Sequence, residues 1–476
     1  MRKITFTHFM CTLSMAAFML SGISCQSAKK SDQVSSKGLI AVETPQRPVG
    51  QKDVLQLTTP AMKVVRVGFI GLGMRGPAAV KRFTYLDGVE VKALCDLDMS
   101  RAEKAQKILT DAKLPEATLY GGSEDAWKKL CERDDIDLVY IATDWLHHEP
   151  MMIYAMEHGK NVVCEVPSVL NMDEIWNVIN TAERTQLHCM MLENCVYDFF
   201  ELTTLNMAQK GVFGEVLHAE GSYIHCLEPY WDSYANDWRL KYNTDHRGDV
   251  YATHGMGPAC QLLDIHRGDK MNFLTSMDTK VAGIPAFVKK DRGVDLKDFQ
   301  NGDMTTTMIR TEKGKTILIQ HDVANPRPYS RMYSLTGTKG YASKYPTPGY
   351  AIEGSQLKDD DVKKYDDLSG HSFVPEAVQK ILMEKYRSPI MTLELEAKAK
   401  EVGGHGGMDF IMDYRLIYCL QNGLPLDMDV YDMAEWCSVA PLSALSIENN
   451  SNAVEVPDFT RGAWDRIHGF RHAFVK

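Results

Sequence analysis

The 476-residue chain has no CxxC pair and no other cysteine or histidine spacing that suits a metal ion, so no metal site is expected. It has no run of lysine and arginine that could follow a nucleic-acid backbone, and its formal charge of -10 opposes one, so no nucleic-acid partner is expected. No internal repeat and no twin arginine are visible. Of eleven cysteines, Cys11 and Cys25 fall in the first segment, which leaves an odd number. Cys95 in "VKALC", Cys164 in "NVVC" and Cys419 in "RLIYCLQ" sit in apolar runs. Buried free thiols fit that pattern better than a disulfide framework does.

Long apolar runs are also scarce, and the one that exists comes first. Arg2 and Lys3 precede an apolar stretch from Phe9 to Ile23, the layout of a secretory signal and too short for a spanning helix. "SGISC" puts Cys25 where a lipoprotein signal has its acylated cysteine, with Gly22 where leucine is usual. "QSAKKSDQVSSKG" then reads as a polar tether. The expectation is a signal over residues 1–25, a tether over 26–62, and export, with a lipid on Cys25 as the membrane attachment or plain secretion without it.

From Val64 short apolar runs alternate with helical periods: "VVRVGFI", "VEVKALCD", "DLVYIAT", "NVVCEVP" and "HCMMLEN", with helices between them. Nearly continuous apolar strands in βαβ order mark a buried parallel sheet. Residues 63–193 therefore read as a Rossmann-type, doubly wound α/β domain. Residues 194–476 read as an α+β domain with a large mixed or antiparallel sheet. Its strands include "GEVLHAEGSYIHCL" and "TTTMIRTEKGKTILIQHDV", with a turn at 312–315, and "YSLTGTKGYASKY". A helix is expected from about Pro258, and C-terminal helices over "DFIMDYRLIYCLQNG" and "DMAEWCSVAPLSALSIENN".

"GFIGLGMRG" places Gly71, Gly73 and Gly76 in a GxGxxG loop between a strand and a helix. The first glycine permits the turn, the second lets backbone approach a pyrophosphate, and the third allows close helix packing. The helix N-terminus then faces phosphate. Asp96 ends the next strand, where a carboxylate accepts ribose hydroxyls and repels a 2′-phosphate, so the cofactor is expected to be NAD; Asp98 is free to cap the following helix. "ATDWLHHEP" and "CEVPS" follow later strands at the carboxyl edge, where ligands bind in open α/β sheets. Residues 223–242 hold Tyr223, His225, Tyr230, Trp231, Tyr234, Trp238, Arg239 and Tyr242, an aromatic group that suits either a core or the face of a sugar ring. "GDVYATHGMGP" sets Tyr251 and His254 three residues apart as two proton-transfer groups.

"CEVPS" resembles the glucose–fructose oxidoreductase and inositol dehydrogenase-like family, which reads E-K-P there. Glu165 and Pro167 remain, but Val166 stands in the lysine's place, which argues against a plain alcohol dehydrogenase. With "HHEP", "LENCVY", "YATHGMGP" and "GGHGGMDF", the chain resembles glycoside hydrolase family 109, the NAD-dependent α-N-acetylgalactosaminidase-like branch. The resemblance implies NAD contacts from Met74, Arg75, Asp96, Trp145, Leu146, His147, His148, Glu165, Val166 and Asn194. It implies sugar contacts from Tyr223, Arg239, Tyr251, Ala252, Thr253, His254 and Tyr329. It implies cleavage of a terminal N-acetylgalactosaminide by transient oxidation at C3, loss of the C2 proton, departure of the C1 substituent, water addition and re-reduction. The cofactor would then end as it began, which suits an exported protein. Most glycosidases rely instead on two carboxylates.

Tyr251 or His254 is expected to take the C2 proton and the other to serve the leaving group, with Tyr197 and Glu165 as further catalytic candidates. A reactive Tyr251 would need its phenol lowered by a cation such as Arg239. The resemblance also implies an exposed sheet face of the kind that pairs in a homo-oligomer. The alternatives are an exported NAD-dependent sugar oxidoreductase and a sugar-binding lipoprotein with a vestigial nucleotide site.

Overall fold

A computed structural model describes residues 38–357 and 368–475. The expected signal, Cys25 and the first part of the expected tether lie outside the described residues.

The first sheet has six parallel strands: β1 (Val65–Ile70), β2 (Val89–Cys95), β3 (Thr118–Tyr120), β4 (Leu138–Ile141), β5 (Asn161–Cys164) and β6 (Cys189–Met191), in the order β3-β2-β1-β4-β5-β6. β4, β5 and β6 are buried along their whole length, which is why they lack polar alternation. The order reverses between β1 and β4, and that switch point opens a crevice at the carboxyl ends of the strands. β3 and the short helix Ala126–Cys131 lie outside the expected list. Three half-exposed residues at a sheet edge carry too little pattern to read.

The second sheet is mixed. Its eight strands are β7 (Val216–Ile224), β8 (Met271–Asp278), β9 (Met304–Thr311), β10 (Thr316–Asp322), β11 (Ser334–Gly337), β12 (Gly340–Ser343), β13 (Gly349–Ile352) and β14 (Val454–Glu455), ordered β13-β12-β11-β7-β10-β9-β8-β14. β7 and β10 run parallel, and the other pairs are antiparallel. The β9–β10 turn falls where expected. The helix Val430–Glu448 packs on β8 and the helix Thr253–Leu262 packs on β7. The latter contact is very close: a Cβ on Gly221 would meet the Gly255 carbonyl oxygen at 2.5 Å. One apolar core runs through both sheets.

Two expectations are corrected. The helix placed near Pro258 begins at Thr253 and carries Pro258 inside it, because packing on β7 outweighs the missing N–H. Residues 38–62 are not a free tether. Ile40, Val54 and Leu55 are buried, and Arg47 donates to Glu183 at 3.0 and 3.1 Å. The nine cysteines after the N-terminal segment are free thiols, eight of them buried. Among the described residues no helix is long and apolar enough to cross a membrane.

Candidate active site

The glycine loop after β1 is fixed by contact. Gly71 has φ +90°, and a Cβ there would lie 2.5 Å from the Ala142 backbone; one on Gly76 would lie 2.0 Å from the Gly71 carbonyl oxygen. At Gly73 an added Cβ meets only the Arg101 guanidinium at 3.5 Å, so this glycine faces the space where a pyrophosphate can approach backbone. Asp96 sits at the end of β2 and accepts the amides of Leu72 at 2.7 Å and Asp98 at 2.9 Å. Each carboxylate oxygen keeps a lone pair for a ribose hydroxyl. Asp98 caps the helix Met99–Asp111 through the Ser100 amide. Met74, Leu97 and Leu146 are exposed on this edge, apolar surface that suits the flat faces of a dinucleotide. The residues present fit NAD.

At the other end of the crevice a compact group forms. Tyr251 stacks on Trp145 with ring centroids 5.6 Å apart and meets Tyr223 at 4.5 Å. The buried Arg239 guanidinium stands 4.7 Å from the Tyr251 ring and 5.1 Å from the Trp145 ring, and donates to the Tyr234 hydroxyl at 2.7 Å. Arg239 has no carboxylate within ion-pair distance among the described residues, and its Nε has no partner. A buried cation held by ring faces and a neutral hydroxyl, with no anion beside it, is expensive unless a ligand uses it.

The Tyr251 hydroxyl lies 3.4 Å from His254 Nε2, and His254 Nδ1 lies 2.7 and 2.9 Å from the two Glu193 oxygens. Burial works against the Glu193 charge, but the His254 contact and the Cys195 amide overcome it, and the carboxyl lies below its ordinary value. The Tyr251 phenol goes the other way. Burial first, then Tyr223, raises it well above its ordinary value despite Arg239. The expectation of a lowered phenol is therefore corrected. His225, bonded to the Tyr223 hydroxyl at 2.9 Å, is pushed down to about 4 by burial and then by Arg239.

A third group joins the two ends. Arg75, from the glycine loop, donates to Glu165 at 3.2 Å and Asp409 at 3.4 Å; Asn194 donates to Asp409 at 2.5 Å, and His405 Nδ1 lies 2.9 Å from Asp409. Val166 is buried beside Glu165. Tyr329 is exposed at the rim, its ring 5.2 Å from that of His225.

Other expected residues have their side chains engaged elsewhere or buried. Tyr197 is buried and donates to Asp427 at 3.2 Å, in a pair that Asp427 makes with Arg415, a setting with no open face for catalysis. His148 is fully buried, with both ring nitrogens on backbone carbonyls of Pro167 and Thr143. His147 bonds Asp144 at 2.8 Å and is exposed. Ala252 and Thr253 are buried at the start of the His254 helix, and Thr253 Oγ1 has no partner.

The sequence motifs assign no role to Glu193, Asp409 or His405, and His225 and Tyr234 enter only as members of the aromatic group of 223–242. "LENCVY" and "GGHGGMDF" pointed to the segments of the first three. Glu193, Cys195 and His254 also bring three atoms able to ligate a metal within 4.8 Å of one another, a grouping that no local spacing reveals.

Residues 65–193 match the family described as oxidoreductase family, NAD-binding Rossmann fold, and residues 197–466 match glycosyl hydrolase 109, C-terminal domain. Glycosyl hydrolase family 109 protein 1 of Bacteroides fragilis (strain YCH46) is 68% identical over 437 residues, 92% of this chain and 94% of that protein. The protein of the same name from Bacteroides thetaiotaomicron is 63% identical over 454 residues, 95% and 97% of the two chains. Among solved structures, a levoglucosan dehydrogenase in complex with NADH and levoglucosan has TM-score 0.62 at 18% identity, over 83% of this chain and all of that one. The myo-inositol dehydrogenase of Lactobacillus casei has TM-score 0.53 at 17% identity over 83% and 99%. At such identities these two share the fold alone. Sheet topology and glycine loop together define an enzyme of the NAD-binding Rossmann class with a second sheet beside the cofactor edge. The chain belongs to glycosyl hydrolase family 109, and it is a glycosidase built on an NAD-binding fold.

Proposed function

We propose that this enzyme releases terminal, α-linked N-acetylgalactosamine from glycans without net redox change. The observation that carries this reading is the Tyr251–His254 pair, 3.4 Å apart, beside an Arg239 guanidinium with no carboxylate within ion-pair distance among the described residues. When bound, NAD supplies a hydride acceptor and donor for C3 of the sugar. Arg239 holds the 2-acetamido carbonyl, a strong acceptor beside the carbon that loses its proton. His254 Nε2 takes the C2 proton, acidified by the neighbouring C3 carbonyl, while the electron pair moves into the enolate and then expels the C1 substituent. Tyr251, whose phenol stays protonated, donates to the leaving oxygen. Tyr223 and Trp145 supply ring faces for the sugar and the nicotinamide. Water then adds at C1 and a solvent-exchanged proton returns from His254 to C2, which leaves a saturated C3 ketone that the returning hydride would reduce.

The test is an aryl α-N-acetylgalactosaminide in deuterium oxide. Deuterium at C2 of the released sugar, with no accumulating NADH, supports the reading. Unlabelled sugar, or full turnover by both Tyr251→Phe and His254→Ala, overturns it. The signal pattern before Cys25 supports export with a lipid on that thiol. Labelled palmitate on the wild type but not on Cys25→Ala checks this, and equal labelling sinks it.

A further inference from the structure

We infer that Glu193 is a positioning residue that fixes His254 in the one tautomer able to accept a proton at Nε2. This rests on the reading of His254 as the base at C2.

The geometry is local and complete. Glu193 follows β6 in the first sheet, whereas His254 lies in the first turn of the Thr253–Leu262 helix, 61 residues later. The Glu193 side chain is fully buried. Both of its oxygens face His254 Nδ1, at 2.7 and 2.9 Å, and one also accepts the Cys195 amide at 3.1 Å. A carboxylate can only accept hydrogen bonds, so Nδ1 carries the hydrogen, and in the neutral ring Nε2 then keeps its lone pair. That lone pair faces the Tyr251 hydroxyl.

Charge points the same way. Among the described residues Glu193 has no arginine or lysine within ion-pair distance, and His254 is its single ion-pair partner. A buried carboxylate with no permanent counter-ion is stabilised most when the imidazole beside it becomes cationic. That happens when a proton arrives at Nε2. The proton on Nδ1 stays where it is, and the carboxylate does not take it. The other polar side chains facing the ring are Tyr251, Tyr223 and Cys195, with Arg239 and His225 beyond them. None of these is an anion in the resting protein, since burial raises both phenols and the Cys195 thiol.

The sequence also makes room for the contact. A Cβ on Gly257, one turn beyond His254, would lie 2.9 Å from Glu193 Cγ. The glycines of "THGMG" thus do two jobs: Gly255 seats the helix on β7, and Gly257 leaves space for the Glu193 stem.

The experiment uses full-length enzyme with its bound NAD. Glu193→Gln keeps the shape and can still accept from Nδ1, but it lacks the charge. Its kcat is expected to fall roughly 10²–10⁴-fold, with KM changed by less than about threefold and bound NAD and melting temperature retained. Because an anion beside the ring is lost, the acid limb of its kcat/KM profile moves to lower pH. Glu193→Asp recovers part of the loss. In protein labelled with ¹⁵N-histidine, assigned by comparison with His254→Ala, the wild-type ring is expected as the Nδ1–H tautomer, and the Gln variant as a mixture. A Gln variant with unchanged kcat, or a wild-type ring protonated at Nε2, overturns the inference. So does activity abolished by EDTA, because the three ligating atoms would then hold an ion. If the wild type cleaves no aryl aminosugar, the functional reading fails, and the tautomer measurement still decides the role of Glu193. If the Gln variant fails to fold, the Asp variant and the wild-type ring decide it.

Discussion

At the scale of single residues, Asp249 stands far from its ordinary chemistry. It is fully buried two positions before Tyr251, accepts the Tyr251 amide at 3.3 Å with one oxygen, and has no partner for the other. Burial pushes its carboxyl up to about 7. Below about pH 4 the folded and unfolded chains both hold this proton. Between about pH 4 and pH 7 the unfolded chain has released it and the folded one has not, so stability falls as pH rises through that window. Asp249→Asn removes the penalty. The variant should melt higher than the wild type at pH 8, by up to an amount on the order of 2–4 kcal/mol, and the gain should vanish near pH 4. Thermal melts of both proteins at the two pH values check this, and a lower melting point for the variant at pH 8 refutes it. Residues of this kind are hard to read in advance. Tyr251 and His254 stood out because they are neighbours in the chain, and the glycine loop because its geometry is local. Asp249 and Glu193 are ordinary acids whose meaning comes from depth and from a contact across 61 residues, neither of which has a linear signature.

At the scale of elements, the Thr253–Leu262 helix shows where pattern and packing part company. Two glycines and a proline in ten residues contradict helix propensity, and the sequence pattern places the start of the helix only near Pro258. The helix forms because Gly255 lets it lie against Gly221 of β7 and because Gly257 clears Glu193 and Val196. Propensity and contact give opposite signs for one substitution. In a solvent-facing helix, Gly→Ala stabilises by about 1 kcal/mol. At Gly257 the new Cβ would stand 2.9 Å from Glu193 Cγ and 3.0 Å from Val196 Cγ1, and such overpacking costs about 1–3 kcal/mol. Gly257→Ala should therefore lower the melting temperature, and kcat should drop because the His254–Glu193 contact shifts. A higher melting temperature would mean that Glu193 and Val196 give way to the added methyl, and would refute the overpacking argument. β4, β5 and β6 were legible for the opposite reason: buried along their whole length, they need no contrary residue. β8, β13 and β14 were not, since an open mixed sheet draws on scattered short segments.

At the scale of the whole molecule, the chain closes on itself around Glu183. This buried carboxylate, on the Met172–Thr185 helix of the Rossmann half, accepts from Arg47 before the first sheet, from Tyr431 on the Val430–Glu448 helix at 2.7 Å, and from Arg461 near the C-terminus at 2.5 Å. Ile40 bonds the backbone on both sides of Val454, to Ala453 and Glu455, and so ties the same segment to the second sheet. Residues 38–62 looked like a linker because they are polar and short of periodicity. Three buried side chains and one arginine make them a strap instead. A protein beginning at Lys63 would keep every strand of both sheets, yet it would lose Arg47 and bare the Val454 edge. It should melt well below one beginning at Gly38, which should match the full chain. Glu183→Ala reaches the same junction with the strap in place. Leaving two arginines and a tyrosine without their acceptor should cost on the order of 3–5 kcal/mol. If the Lys63 form and the Glu183→Ala form both melt with the wild type, the segment is a tether after all, and the two halves hold together without it.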